Sequence, residues 1–234
     1  MSRTQEAHAF ARLSASRALA LRAARVGGLR VLFGSLVLLV AVYPFLEQGI
    51  LARATLLLLS TVIVVSGAYA VSATRRHLAF ALLLAVPALV TGWTSVFADA
   101  RPIRYASYAA SVTFYVYTLL LVLDDVLRKD DIRTDELLGA LSVYILIGLT
   151  WSAAYHLVED AHPGSFRSSS SGGQLTPGDL TYYSFVTLMT VGSGEIIPVS
   201  PTARSLTILE AMVGVVFVAV LIARLVGLHA RGRR

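Results

Sequence analysis

The chain has 234 residues, 56% of them hydrophobic and 15% charged, with a mean hydropathy of +0.71. Soluble domains carry roughly 25% charged residues, so the composition excludes an ordinary soluble domain and places the chain in the membrane class. The absence of cysteine excludes disulfides and thiolate metal sites, and the +6 charge, almost all arginine, points to orientation and lipid contact rather than nucleic-acid binding.

Residues 1–27 carry Arg3, Arg12, Arg17, Arg22 and Arg25, with Phe10, Leu13, Leu21 and several alanines between them. No apolar core precedes a small-residue cleavage site, so the segment is not a signal peptide. It suits a basic amphipathic helix on the anionic inner leaflet or a solvated tail. Four apolar segments follow, near 29–46, 50–72, 78–98 and 103–127, and form a first membrane unit over 28–128. A fifth runs over 135–158 and a sixth over 203–229. Each approaches or exceeds the roughly 20 residues that cross a bilayer as a helix. The prediction is an all-α membrane protein with six transmembrane helices. Arginine and lysine gather in the N-terminal tail, at Arg75-Arg76, at Arg128-Lys129-Arg133 and at Arg231-Arg233-Arg234, all on one side of such a layout. That side is the expected cytoplasm, with both termini inside.

Between the fifth and sixth segments lies a polar loop, 159–178, whose Ser168–Ser171 and Gly172-Gly173 suit a linker or a flexible outer turret. Thr176-x-x-Asp179 resembles a helix-opening box, and Pro177 suits a first helical position. They predict a helix from near Pro177 to near Met189, too short to span and therefore re-entrant. It feeds into Thr190-Val191-Gly192-Ser193-Gly194-Glu195. Glycine at alternate positions tolerates positive φ and lets successive carbonyls turn the same way. At membrane depth such non-helical backbone survives only inside protein or along a watery path. A row of carbonyls on one axis replaces the water of a cation.

The run Thr190–Gly194 resembles the TVGYG filter of potassium channels. Residues 181–195 resemble a pore helix leading into that filter, and residues 198–228 resemble the inner helix after it. About a hundred residues, 130–229, resemble the two-helix pore module of the superfamily, within a pore domain set at 129–234. The resemblance implies a homotetramer around one filter that opens outward in the plasma membrane. It implies K+ held at Thr190, Val191, Gly192 and Ser193, with Gly194 completing the filter. No cofactor is expected beyond the permeant ion, with Na+ as the alternative, and no soluble ligand. There are two departures: Ser193 stands where the family has an aromatic residue, and Glu195 where it has Asp.

Serine cannot fill the volume of that aromatic. Either Tyr182, Tyr183 or Phe185 braces the filter and keeps it selective for K+, or the outer filter widens and Na+ passes too. Glu195 either concentrates cations at the mouth, with a brace to the half-helix, or is a solvated rim acid. Glu210 lies within the sixth span, where an ionisable residue faces a cavity or a partner; it either draws cations inward or bonds to the back of the filter. Gly214 falls at the family's gating hinge, and close helix packing is the competing reason for a glycine there. Arg224 is expected to reach the interface.

The first four spans invite comparison with a voltage sensor. Between Arg104 and Arg128 the only charges are Asp124 and Asp125, so the arginine ladder is missing and steep voltage gating is not expected. Five residues follow His229, which leaves no room there for a cytoplasmic ligand-binding domain and leaves the gating stimulus open. An intramembrane serine protease is disfavoured because Val191 stands where that family's motif has glycine. A secondary transporter is the stronger rival, but no second interrupted helix matches the first.

Overall fold

The computed structural model describes residues 28–45, 50–70, 75–98, 100–128, 134–169, 175–176 and 178–231. The expectations for the amphipathic N-terminal segment, for residues 170–173 of the outer loop and for Pro177 fall outside them. The helices are α1 (Gly28–Val42), α2 (Ile50–Ala70), α3 (Arg75–Phe97), α4 (Arg101–Arg128), α5 (Thr134–Ala161), α6 (Asp179–Leu188) and α7 (Pro201–Arg231). Four contain stretches long and apolar enough to cross a membrane: Arg76–Ser95, Arg101–Arg128, Glu136–Ala161 and Pro201–Gly227. Gly28–Val42 and Leu57–Tyr69 are shorter apolar helices among the described residues.

Helical spacing builds the core. Leu29, Leu32, Leu36 and Leu39 of α1 repeat every three or four residues, so they share one face. They join a buried cluster with Ile63 and Val64 of α2, Phe114 and Val122 of α4, and Val143 and Leu146 of α5. A second cluster of Tyr155, Phe166, Leu180, Tyr183, Ile196 and Ala203 ties α5, α6 and α7 to the loops between them. Its rings meet edge-on or tilted, at 5.1 Å for Tyr155–Phe166 and 5.3 Å for Tyr155–Tyr183.

The outer loop is not purely helical or irregular. β1 (Phe166–Ser168) pairs antiparallel with β2 (Ile196–Pro198), with Arg167 opposite Ile197. The all-α expectation missed this ladder because each strand is three residues long, below the length at which alternation shows. Glu159 shapes the turn before it: its carboxylate accepts the backbone N–H groups of Gly164 at 2.6 Å and Phe166 at 2.9 Å.

Candidate functional site

α6 has ten residues, about 15 Å of helix, half the thickness of a bilayer core. It starts at Asp179, two residues after the expected position. Thr176 and Asp179 form only half of the anticipated box. The Asp179 carboxylate accepts the Thr176 N–H at 2.8 Å, but the Thr176 hydroxyl also donates to it, at 2.6 Å, instead of capping a helical N–H. A polar seam holds α6 between α5 and α7. Ser152 and Thr181 share a hydrogen bond of 2.7 Å, Ser184 donates to the Gly148 carbonyl at 2.7 Å, and the Tyr183 hydroxyl bonds Thr207 at 2.7 Å.

The stretch after α6 folds back on the helix end. Thr190 N–H donates to Thr187 O at 2.9 Å, Val191 N–H to Val186 O at 2.8 Å, and Gly192 N–H to the same oxygen at 3.3 Å. The first two make a Schellman cap, with Thr190 in the left-handed position (φ 56°) that glycine usually takes. Among the described residues no peptide bond is cis, and in a trans peptide the C=O points opposite to its N–H. Three successive N–H groups aimed at the helix end therefore turn the carbonyls of Met189, Thr190 and Val191 away from it, to one side. Positive φ recurs at Gly192 (61°) and Gly194 (70°), with Val191 and Ser193 between them outside that region. Among the described residues, the main-chain oxygens of 190–194 accept no hydrogen bond. The stretch is exposed in the single chain, and beyond the adjoining residues no atom of the described residues lies within 4 Å of where a Cβ on Gly192 or Gly194 would sit.

The three candidate braces divide. Phe185 is wedged against Gly148, and Tyr183 is committed to Thr207 and to the rings of Tyr155 and Phe166. Tyr182 is exposed. Glu195 is held by its carbonyl, which accepts the backbone N–H and the hydroxyl of Ser169 at 2.8 and 3.0 Å. Its carboxylate is exposed and makes no bond to α6 among the described residues. Glu210 is fully buried between α5 and α6, bonded to Tyr155 and Ser184. Gly214 is a close-packing position: a Cβ there would lie 2.2 Å from the carbonyl oxygen of Leu188. Arg224 does not simply extend toward an interface. Its guanidinium donates to the carbonyls of Val126 and of Leu127 (3.0 Å to the latter), binding α7 to the end of α4.

The seam residues Tyr155 and Ser184 escaped the sequence reading. A tyrosine and a serine on different helices carry no periodic or motif signal. The one available hint was Glu210, an acid that needs a partner inside a span.

A helix too short to cross, capped by backbone that turns its oxygens aside, sits within the region that matches known proteins. Residues 140–229 match the family described as "Ion channel". Two curated relatives are similar over a stretch of comparable length. The rice (Oryza sativa subsp. japonica) "Two pore potassium channel c" is 35% identical over 86 residues, 37% of this chain and 17% of that one. The Paramagnetospirillum magnetotacticum "Inward rectifier potassium channel Kirbac3.1" is 35% identical over 75 residues, 32% of this chain and 22% of that one. Over residues 140–229 the chain is therefore similar to ion channels. The chain spans about a fifth of the length of these relatives, and no solved structure gives a significant match. The matched region thus holds α6, the turned backbone, Glu210, Gly214 and most of α5 and α7, while α1 to α4 lie outside it.

Proposed function

We propose that four copies of this chain form a cation channel that passes K+ down its electrochemical gradient. Residues 190–194 of each copy would line a shared axis. The observation that carries this reading is the backbone after α6: three carbonyls turned from the helix end, and positive φ at every second residue. Unbonded carbonyls at membrane depth are costly unless something replaces their partners. A dehydrated cation does so, at Thr190, Val191, Gly192 and Ser193. One chain supplies one wall, which supports a homotetramer. Its α7 fits this, since only 11% of its apolar window is buried within the chain, leaving surface for lipid and for neighbouring copies. Six spans, both termini in the cytoplasm and residence in the plasma membrane complete the proposal. α4 carries no arginine between Arg104 and Arg128, so opening is not steeply voltage-dependent.

The test is current through the purified full chain in planar bilayers. A tenfold K+ gradient is worth about 1.4 kcal/mol, and 100 mV is worth about 2.3 kcal/mol per charge, so a K+-selective pore reverses near 60 mV in magnitude. Unitary openings with that reversal support the channel; their absence, with slow saturable exchange of ions, returns the secondary transporter.

A second reading rests on Ser193. Its side chain is exposed, and the glycines on both sides have open space. An outer filter without packing behind it admits Na+ as well. Bi-ionic K+/Na+ conditions separate the two: a reversal near zero selects the non-selective pore.

A further inference from the structure

Glu210 lies buried behind α6, and among the described residues its carboxyl is bonded to no cationic side chain. Tyr155 donates to its Oε2, and Ser184 Oγ stands 2.5 Å from its Oε1. The titratable groups that face it are phenols, Tyr144 and Tyr155 of α5 and Tyr183 of α6. Among the described residues no arginine, lysine or histidine bonds it.

A count of hydrogens decides its state. A hydroxyl carries one hydrogen. Ser184 Oγ is 2.7 Å from the carbonyl oxygen of Gly148, which can only accept, so that contact claims Ser184's hydrogen. An ionised carboxylate also only accepts. Two oxygens 2.5 Å apart with no hydrogen between them repel. We propose that Glu210 is a protonated, uncharged acid, the central link of a hydrogen-bonded strut that positions α6. Every hydrogen is then used once: Tyr155 donates to Glu210 Oε2, Glu210 Oε1–H to Ser184, and Ser184 to Gly148. One turn further along α7, Gly214 sits against the Leu188 carbonyl. α7 therefore holds α6 at its middle and at its end, and any movement of α7 reaches the backbone of 190–194 through both points.

The assignment of the proton stands apart from the pore reading; its consequence for conduction rests on that reading. The proton is read by infrared difference spectroscopy of the purified full chain in lipid at neutral pH. Wild type shows the carbonyl band of a protonated carboxylic acid, and Glu210→Gln lacks it. Tyr155→Phe removes the hydrogen bond to Oε2 and moves the band to higher frequency. A wild type without the band overturns the assignment, as does a band that survives Glu210→Gln. If Glu210→Gln fails to fold, an unshifted band in Tyr155→Phe overturns it instead. For the strut, glutamine keeps a donor for Ser184 and an acceptor for Tyr155, so Glu210→Gln holds conduction within about threefold of wild type, whereas Glu210→Leu loses about tenfold. A folded, assembled Glu210→Gln that loses as much as Glu210→Leu overturns the strut while leaving the proton in place.

Discussion

The helices α1 to α4 and the matched region 140–229 are both apolar and both helical, yet their hydroxyls differ in emphasis. Those of the first mostly bond within their own helix, although Tyr117 reaches His77, while several of the second cross to another. In the first region Ser35 donates to Leu32 O, Thr61 to Leu57 O, Ser66 to Ile63 O, Thr94 to Val90 O and Thr113 to Ala109 O, each within its own helix. In the second, Ser152, Tyr155, Tyr183 and Ser184 all reach across to another helix. A hydroxyl bonded to its own helix hides its polarity and leaves that helix free to slide or rotate. A hydroxyl bonded across helices fixes register, because a buried partner left alone costs about 1–3 kcal/mol. Irregular backbone packed between apolar helices needs that kind of frame. The backbone of 190–194 is held by α6, and α6 is held by hydrogen bonds on both sides.

Substitutions that break the frame should outweigh any made in the first four helices. Gly214→Ala is the most severe, because its Cβ would collide with main-chain atoms that cannot rotate away. At about 1–3 kcal/mol of overpacking per chain, the yield of assembled, conducting protein should fall at least tenfold. Gly227→Ala, on the same helix with nothing within 4 Å, should match wild type. Size-exclusion chromatography with flux from loaded vesicles distinguishes the two; equal behaviour would mean that α7 does not press on α6.

Next in size is Gly192→Ala. A Cβ at φ 61° costs about 1–2 kcal/mol, but it meets no neighbour within the chain. Helix content and assembly should survive while K+ flux falls at least fivefold. Smaller again is Gly148→Ala, whose Cβ would lie 2.6 Å from the Phe185 ring. The loss, about 1–2 kcal/mol in thermal stability, should be recovered largely by adding Phe185→Leu, since residues in contact couple. Additive losses would place the strain elsewhere.

The same contrast explains what could be read from the sequence. Helices show in long apolar runs, so α2 to α5 and α7 lie close to their expected positions. The half-helix and the turned backbone show because proline, glycine and length are local signals; α6 begins two residues late, at Asp179, where the Thr176 hydroxyl bonds the Asp179 carboxylate instead of capping a helical N–H. The frame itself was not legible. Tyr155 and Glu210 are 55 residues apart, and Ser184 and Gly148 are 36 apart. No period or motif connects them until the helices are packed. The β1–β2 pairing was hidden for a similar reason: six residues, thirty positions apart, create a ladder only after α6 has brought the chain back.

The smallest effects give the finest test, because one substitution type should change sign between the regions. Thr118 of α4 is buried, and its Oγ1 has no hydrogen-bond partner among the described residues. Valine has the same branching and a similar helix propensity, so Thr118→Val replaces an unsatisfied hydroxyl by a methyl and should stabilise the protein by up to about 1 kcal/mol. Thr207 of α7 passes its hydrogen to Ala203 O at 2.8 Å and accepts that of Tyr183. Thr207→Val leaves the Tyr183 hydroxyl without its acceptor and should destabilise by about 1 kcal/mol. Apparent melting temperature in one fixed lipid–detergent mixture should therefore rise for the first and fall for the second. Falls in both would show that Thr118 has a partner, such as a bound water, and that the first four helices also depend on polar ties for their register.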